Sequence, residues 1–238
     1  MREAHYFYVP NAAETDELPL DETIHAIRVL RLKPKDQIYL MDGVGSFYLA
    51  EVKMASSKHC LYKVKEVLKQ NPSWKGQIHL AIAPTKDMGR MEWMVEKATE
   101  IGFNKISFLN SKFSERHVIK ADRIERIVIS AMKQSRKPWK PLISPIVDFK
   151  DFIKNEKAKN KFICHCYDEI PRKDFFDNLD SNNDDIVVMI GPEGDFSIDE
   201  VKAALSLGYE SVTLGKSRLR TETAGLNAVM IANLALRL

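Results

Sequence analysis

The stretch IVVMIGPEGDFSIDE, residues 186–200, decides the fold. An apolar run from Ile186 to Ile190 enters a Gly-Pro-Glu-Gly turn, and Ser197 followed by Glu200 is a capping box that starts a helix. A buried strand turning directly into a helix is one unit of an α/β sheet, and in such sheets ligands bind in the loops at the strands' carboxyl ends. Downstream the pattern repeats: SIDEVKAALSLG (197–208) is a helix, SVTLG (211–215) a strand and TETAGLNAVMIANLALRL (221–238) a final helix. Upstream, QIHLAIAP, KISFLN and KFICHCY read as further strands. The helix RMEWMVEKATEIG has Met91, Met94, Val95 and Ala98 on one face and Gly102 as its stop, and ADRIERIVISAMKQS carries Ile124, Ile127, Val128 and Ala131. The expectation from residue 77 onward is a largely parallel sheet with helices on both faces.

Before residue 77 the rhythm differs. HYFYVP, DQIYLMDG, SFYLAEVKM and CLYKVKEVL are short strands, with DGVG as a hairpin turn, so residues 1–70 read as a small all-β unit. Between them ETIHAIRVLRLKP could form one amphipathic turn burying Ile24, Ile27, Val29 and Leu30 and leaving Arg28 and Arg31 for solvent or a ligand. KQNPSWKG marks a linker, assigned to residues 71–76, and residues 77–238 form the larger domain.

Length and composition fit one large domain with a smaller companion: 238 residues, 45% hydrophobic and 29% charged. No stretch approaches a membrane span and the N-terminus lacks a signal-peptide core, so the expected location is cytoplasmic with no membrane partner. Cys60, Cys164 and Cys166 form no disulfide framework. Cys164-His165-Cys166 lacks the four ligands of a structural zinc site and alternates faces in a strand, so no metal is expected. Net charge is only +3, but Lys105–Lys140 holds ten Lys/Arg against three acids, which favours a polyanionic partner.

Two loops could hold chemistry. Gly191-Pro192-Glu193-Gly194-Asp195 lacks both the phosphate-cradle lysine and the dinucleotide glycine spacing, and its carboxylates would repel a phosphate. A ligand with a cationic centre, or with hydroxyls and an adenine edge, fits better; a plain tight turn with helix-capping acids is the alternative. The second loop, Gly215 to Thr223, sets Lys216, Arg218, Arg220 and Glu222 before a helix apolar on almost every side and so expected to be buried. Charges held there suit a ligand or a partner subunit, the alternative being a Thr-capped helix start with solvated arginines.

These two loops resemble those of the bacterial ribosomal RNA small subunit methyltransferase E family. The motifs IGPEGDFS (190–197), Leu214-Gly215 and LRTETA (219–224) carry the likeness, joined by His25 to Arg31 (HxxxVLR), the helix ending KATEIG, SER at 114–116 and QS at 134–135. The resemblance spans nearly the whole chain. It implies a small PUA-like β-barrel followed by a SPOUT-type methyltransferase domain with a C-terminal trefoil knot. It also implies a homodimer, S-adenosyl-L-methionine as cofactor, and methylation of uridine N3 in 16S ribosomal RNA, on free rRNA or the 30S subunit.

Carried onto this sequence, the cofactor-binding residues are His165, Ile190, Gly191, Pro192, Glu193 and Gly194 with Leu214, Gly215, Leu219, Arg220, Thr221, Thr223 and Ala224. The catalytic candidates are Arg220 and Glu222, with Asp195 as a rival base. For RNA the candidates are Arg28, Arg31, Lys86, Arg90, Lys112, Arg116, Lys133 and Arg136, with Trp139 either stacking on a base or pinned by its prolines. The sequence departs from the family at Lys35 and Asp195, where glycine is usual, and at RKPWK (136–140). Competing readings are a SPOUT enzyme acting on another RNA position such as a ribose 2'-hydroxyl, and a non-catalytic RNA-binding assembly factor.

Overall fold

A chain that alternates β-rich and α/β rhythms has two apolar patterns to bury. The structure, a computed structural model, describes residues 4–179 and 184–238. It resolves into two compact units: one runs to Pro72 and includes Met132–Lys140, and the other comprises Ser73–Ala131 and Pro141–Leu238.

In the first unit β1 (Tyr6–Tyr8), β2 (Gln37–Met41), β3 (Ser46–Ala55) and β4 (Cys60–Lys69) form one sheet in chain order. β1 pairs parallel with β2, and the other pairs are antiparallel. Alternation sends Phe7, Ile38, Leu40, Ala50 and Val52 into the core. The DGVG hairpin forms as its residues require: Asp42 Oδ1 accepts from the amides of Val44 (2.8 Å) and Ser46 (2.9 Å), while Gly43 and Gly45 take φ of 81° and 113°.

The expected amphipathic turn or helix forms, with one of its apolar residues left outside. Helix α1 (Leu20–Ile24) passes into a π-type turn over His25–Val29, so the buried side chains are Glu22, Thr23 and Ala26, and Val29 is 64% exposed. Ile27 and Leu30 pack against the core as read, whereas the wider turn shifts the angular period and leaves Val29 outside. The segment 132–140, placed by sequence in the larger domain, belongs to this unit. Gly45 N–H donates to Pro138 O (2.9 Å) and Lys140 N–H to Gly43 O (2.8 Å), so the segment straps onto the hairpin. Trp139 is pinned there: a Cβ at Gly45 would stand 2.8 Å from its Nε1.

The second unit is a seven-stranded, wholly parallel sheet built from β5 (Gln77–Ile82), β6 (Lys105–Asn110), β7 (Leu142–Asp148), β8 (Asn160–Cys164), β9 (Lys173–Asp174), β10 (Asp185–Ile190) and β11 (Glu210–Thr213). Their order is β7-β6-β5-β10-β8-β11-β9. Helix α2 (Met88–Ile101) is capped by Asp87, whose side chain accepts from Gly89 N–H, and stops at Gly102 with φ 116°. Helix α3 (Ala121–Ser135) buries Ile124, Val128 and Ala131. β7 and the helix after it, α4 (Phe149–Asn155), escaped the periodicity reading because Pro145 interrupts the strand. The sheet accommodates it at an edge, where Ser107 pairs with Ser144 and Phe108 with Ile146, so the proline falls in the register shift.

Strand alternation divides the two faces. Ala81, Ala83, Val187 and Met189 pack with Phe149, Phe152 and Ile153 of α4 and with Val201 and Ala204 of α5 (Ile198–Ser206). The larger of these side chains, Val, Ile, Met and Phe, each contribute roughly 1.5–3 kcal/mol when fully buried. On the other face α6 (Thr221–Ala235) lies so close that a Cβ on Gly225 would stand 2.8 Å from Ile82 Cδ1. That contact sets the start of α6 over the carboxyl end of β5. The helix is not buried all round, as its apolar sequence suggested: Met230 and Leu234, one turn apart, are 39% and 44% exposed. Among the described residues no helix is long and apolar enough to cross a membrane.

Candidate active site

Because every strand of the second unit runs the same way, all its carboxyl-end loops emerge at one edge of the sheet. The loop after β10 is a junction of hydrogen bonds. Ile190 and Gly191 are buried, and a Cβ on Gly191 would stand 2.8 Å from Phe196 N, so only glycine permits this turn. Pro192 is buried; Glu193 and Gly194 are exposed.

Glu193 Oε1 accepts from the Lys86 amide (3.0 Å), reaching the loop after β5. Asp195 takes φ 66°, a left-handed conformation that short polar side chains tolerate and that explains the glycine usual at this position. Its Oδ2 accepts from the Cys166 amide (2.8 Å) and Oδ1 from Phe196 N–H (2.7 Å), fastening the β10 loop to the β8 loop. Tyr167 Oη donates to Phe196 O (2.7 Å) in the same joint. Glu200 completes the capping box with Ser197 and accepts from Lys112 N–H (2.8 Å), adding the β6 loop.

His165 is buried, and both ring nitrogens are used. Nδ1 accepts from Tyr167 N–H (3.2 Å), so the proton sits on Nε2 and donates to Ser211 Oγ (2.7 Å). Burial pushes its pKa down, with Arg172 adding to the shift and Asp195 and Glu169 opposing it, which keeps the ring neutral. It acts as a strut between β8 and β11.

The loop after β11 has a different character. Leu214 O accepts from Asn227 Nδ2 (3.4 Å) and Thr213 Oγ1 donates to Gly215 O (2.8 Å). Gly215 has φ 117°, and an added Cβ there would meet nothing within 4 Å. Among the described residues no hydrogen bond or salt bridge holds the Lys216, Arg218 or Arg220 side chains, all of which are exposed. Leu219 is half-buried, and Arg220, the N-cap residue, accepts Ala224 N–H at its carbonyl (2.7 Å). Thr221 and Glu222 are buried in the first turn of α6, and Thr223 points outward beside half-buried Ala224. Glu222 Oε1 lies 3.8 Å from Arg90 Nη1, and Arg90 also meets Asp87 at 3.6 Å.

The eight RNA candidates separate into two sets. Arg28 and Arg31 are exposed in the first unit, where Arg136 lies over the Tyr6 ring (5.3 Å) and Lys133 is neutralised by Glu22 (2.7 Å). In the second unit Lys112 is exposed over Phe113, and Lys86 pairs with Glu115 (3.1 Å). Arg116 was expected to meet a phosphate. In the fold it donates to the carbonyls of Thr85 (3.3 Å) and Lys86 (2.6 Å), in the same β5 loop whose Lys86 amide Glu193 accepts from. Arg90, likewise expected on RNA, faces Glu222. The partners that sequence reasoning missed, Thr85, Cys166 and Tyr167, contribute backbone groups or a phenol at loop joints, which leave no residue-type signature. No group of three metal-ligating side chains occurs among the described residues.

Comparison with known proteins places this geometry. The RNA methyltransferase domain model matches residues 72–233, and the RNA methyltransferase PUA domain model matches residues 21–65. A ribosomal RNA small subunit methyltransferase E of Aquifex aeolicus is 31% identical, with 95% of this chain and 98% of that protein covered. The crystal structure of a probable rRNA-methyltransferase from Porphyromonas gingivalis superposes with a TM-score of 0.91 at 41% identity, over 98% of each chain. A ribosomal RNA small subunit methyltransferase E from Neisseria gonorrhoeae, solved bound to S-adenosyl methionine, is 27% identical with a TM-score of 0.81 over 95% of each chain.

Proposed function

The chain belongs to the ribosomal RNA small subunit methyltransferase E family, and on that footing we propose that it methylates N3 of a uridine in 16S ribosomal RNA. The reaction class, S-adenosylmethionine-dependent methylation of small-subunit rRNA, follows from family membership. The position on the base is the finer step.

The site fits an adenosyl sulfonium. The backbone at Gly215 is open on the side a Cβ would fill, so its amide and carbonyl can meet a flat, polar edge. The surrounding acids Glu193, Asp195 and Glu222 suit a cation and repel a phosphate. Residues Ile190–Gly194, Leu214, Gly215, Leu219, Thr221, Thr223 and Ala224 would line it, with His165 bracing the strands beneath. When bound, S-adenosylmethionine supplies the electrophilic methyl carbon.

The protein's own task is at the nucleophile. Uridine N3 is protonated at neutral pH, so a base must take that proton while a cation faces the oxygens flanking the nitrogen. The observation that carries the assignment is the start of α6, where Arg220 is exposed and Glu222, in the first turn, is buried against Arg90. Glu222 is the proposed base. Arg220, aided by the positive end of the α6 dipole, steadies the negative charge that develops on the uracil oxygens. Asp195 is the weaker candidate, since both its oxygens already accept backbone amides.

Around this core we further propose that residues 1–70 form a PUA-like barrel serving RNA binding, with 71–76 as linker, and that residues 77–238 carry the trefoil knot. Placement of β10 between β5 and β8 supports a threaded chain end. The uncovered Met230 and Leu234 on α6 support a homodimer, a second copy covering them. A ribosomal substrate supports a cytoplasmic location.

Nucleoside mass spectrometry of 16S rRNA from cells with and without the gene is the test. Loss of 3-methyluridine, restored by the purified protein on 30S subunits, is expected. A retained mark, or restoration of a ribose-methylated nucleoside instead, sinks the assignment.

A further inference from the structure

We propose that the outer face of the N-terminal sheet is a stacking platform for unpaired RNA bases, formed by Tyr6, Tyr39 and Phe47 with Arg136 and Lys140 at its rim. The inference rests on reading the chain as an enzyme that acts on RNA.

Alternation along the strands separates the two faces. Phe7, Ile38, Leu40, Tyr48 and Ala50 point into the core of the unit. The opposite face of such a sheet is ordinarily polar. Here it carries three half-buried rings instead. Tyr6 pairs with Tyr39 in register, their rings stacked at 5.2 Å and 21°, and Phe47 meets Tyr6 edge-on at 5.6 Å. Mutual contact fixes the rings, so a base stacking on them would restrict little further side-chain freedom.

The cations are placed by backbone. The strap formed by residues 136–140 pairs with the hairpin through Gly43 and Gly45, which sets the Arg136 guanidinium 5.3 Å over Tyr6 and Lys140 Nζ 5.5 Å from the Tyr8 ring centre. Arg136 adopts φ 54°, an unfavourable conformation for a long side chain. Glu22 is buried, and its Oε1 accepts from Lys133 and from the Tyr8 amide. Aromatic faces with flanking cations match single-stranded nucleic acid, whose bases present π-surfaces and whose backbone is anionic.

The test is binding by the full chain to a short mixed-sequence single-stranded RNA and to the same RNA annealed to its complement, over a salt series. Tyr39→Ala is expected to weaken single-strand binding roughly ten-fold, with duplex binding, the salt slope and the KM for S-adenosylmethionine unchanged. Tyr39→Phe should restore it. Arg136→Ala should lower the salt slope by about one. If Tyr39→Ala fails to fold by circular dichroism, Tyr39→Leu carries the same comparison.

Wild-type affinity for the single strand in a folded Tyr39→Ala or Tyr39→Leu overturns the platform. Unchanged RNA affinity with lost binding to intact 30S subunits also overturns it, assigning the face to a protein partner. Methyl transfer by the wild type to 30S subunits, measured in parallel, separates the two readings. No transfer with the Tyr39 effect intact would sink the enzyme assignment and leave the platform standing.

Discussion

The Gly191–Phe196 turn and the Gly215–Arg220 loop flank the same edge of one sheet, yet they are held very differently. The first is tied to three neighbouring loops, through Glu193 to the Lys86 amide, Asp195 to the Cys166 amide and Glu200 to the Lys112 amide. Among the described residues the second is fastened at its ends, by Thr213 and Asn227, and no hydrogen bond or salt bridge holds its cations. Carboxylates spent on backbone amides are already committed to shape, whereas unpaired arginines remain available for a ligand. The turn is therefore the scaffold and the loop the reacting element.

If that division holds, the largest loss of turnover comes from the loop. Arg220→Ala should lower kcat by a factor on the order of 10²–10³, as expected for removing a charge-stabilising donor. Among the described residues its exposed side chain makes no hydrogen bond or salt bridge, so Tm should not change. Glu222→Gln should match it in kcat, with the product of the two losses not reached in the double variant. Near-normal turnover in Arg220→Ala, measured by methyl transfer to 30S subunits, would break the comparison at once.

Asp195 sharpens it next, because a base and a brace respond oppositely to amidation. Asp195→Asn keeps a carbonyl acceptor for one of the two amides and tolerates φ 66°, so a brace predicts at least about a tenth of wild-type kcat, on the scale of a single neutral hydrogen bond. A base predicts collapse. Asp195→Ala loses both acceptors and retains the unfavourable φ, and is expected to cost about 2–4 kcal/mol of stability in urea unfolding.

Much of the frame was legible in sequence. The apolar run into Gly191, the Ser197/Glu200 capping box and the Met91/Met94/Val95/Ala98 stripe each obey a local rule, and each forms as read. What was not legible depends on partners distant in the chain. The carbonyls that Arg116 meets, here thirty residues upstream, leave no mark on a lone arginine in the sequence. Pro145 concealed β7, and the π-type turn concealed that Val29 leaves the buried face. The strap 132–140 lies past the linker in sequence, so its union with the first unit appears only in three dimensions. At the site, the motif residues lie in loops at one sheet edge, and Glu193, Asp195 and His165 hold loops or strands together there.

The clamp on the β5 loop gives a smaller effect. Arg116→Ala removes donors to Thr85 O and Lys86 O, and Glu193→Ala removes the acceptor of the Lys86 amide. Each loosens a loop that abuts the scaffold turn without touching the reacting element. The expected result is a KM for S-adenosylmethionine raised about three- to ten-fold, the scale of one or two hydrogen bonds, with kcat nearly unchanged. An Arg116→Ala variant that keeps its cofactor KM but loses RNA affinity with a shallower salt slope would return Arg116 to phosphate binding.

The smallest effect isolates backbone strain from chemistry. Lys35 and Asp195 both stand where the family ordinarily has glycine, and both take positive φ, 78° and 66°. Glycine at either position removes the steric penalty of a side chain in this conformation and adds freedom to the unfolded chain, two terms of about 1 kcal/mol that oppose each other. At Lys35 only the backbone amide bonds across the unit, to Val52 O at 2.8 Å, and glycine keeps it. Lys35→Gly should therefore leave stability within about 0.5 kcal/mol of wild type. Asp195→Gly relieves the same strain but forfeits the bonds to Cys166 and Phe196, so it should destabilise by at least about 1 kcal/mol more than Lys35→Gly. Equal stabilities for the two variants in urea would mean that the Asp195 carboxylate braces nothing, and the contrast between scaffold turn and reacting loop would fail where the two halves of the site are otherwise hardest to separate.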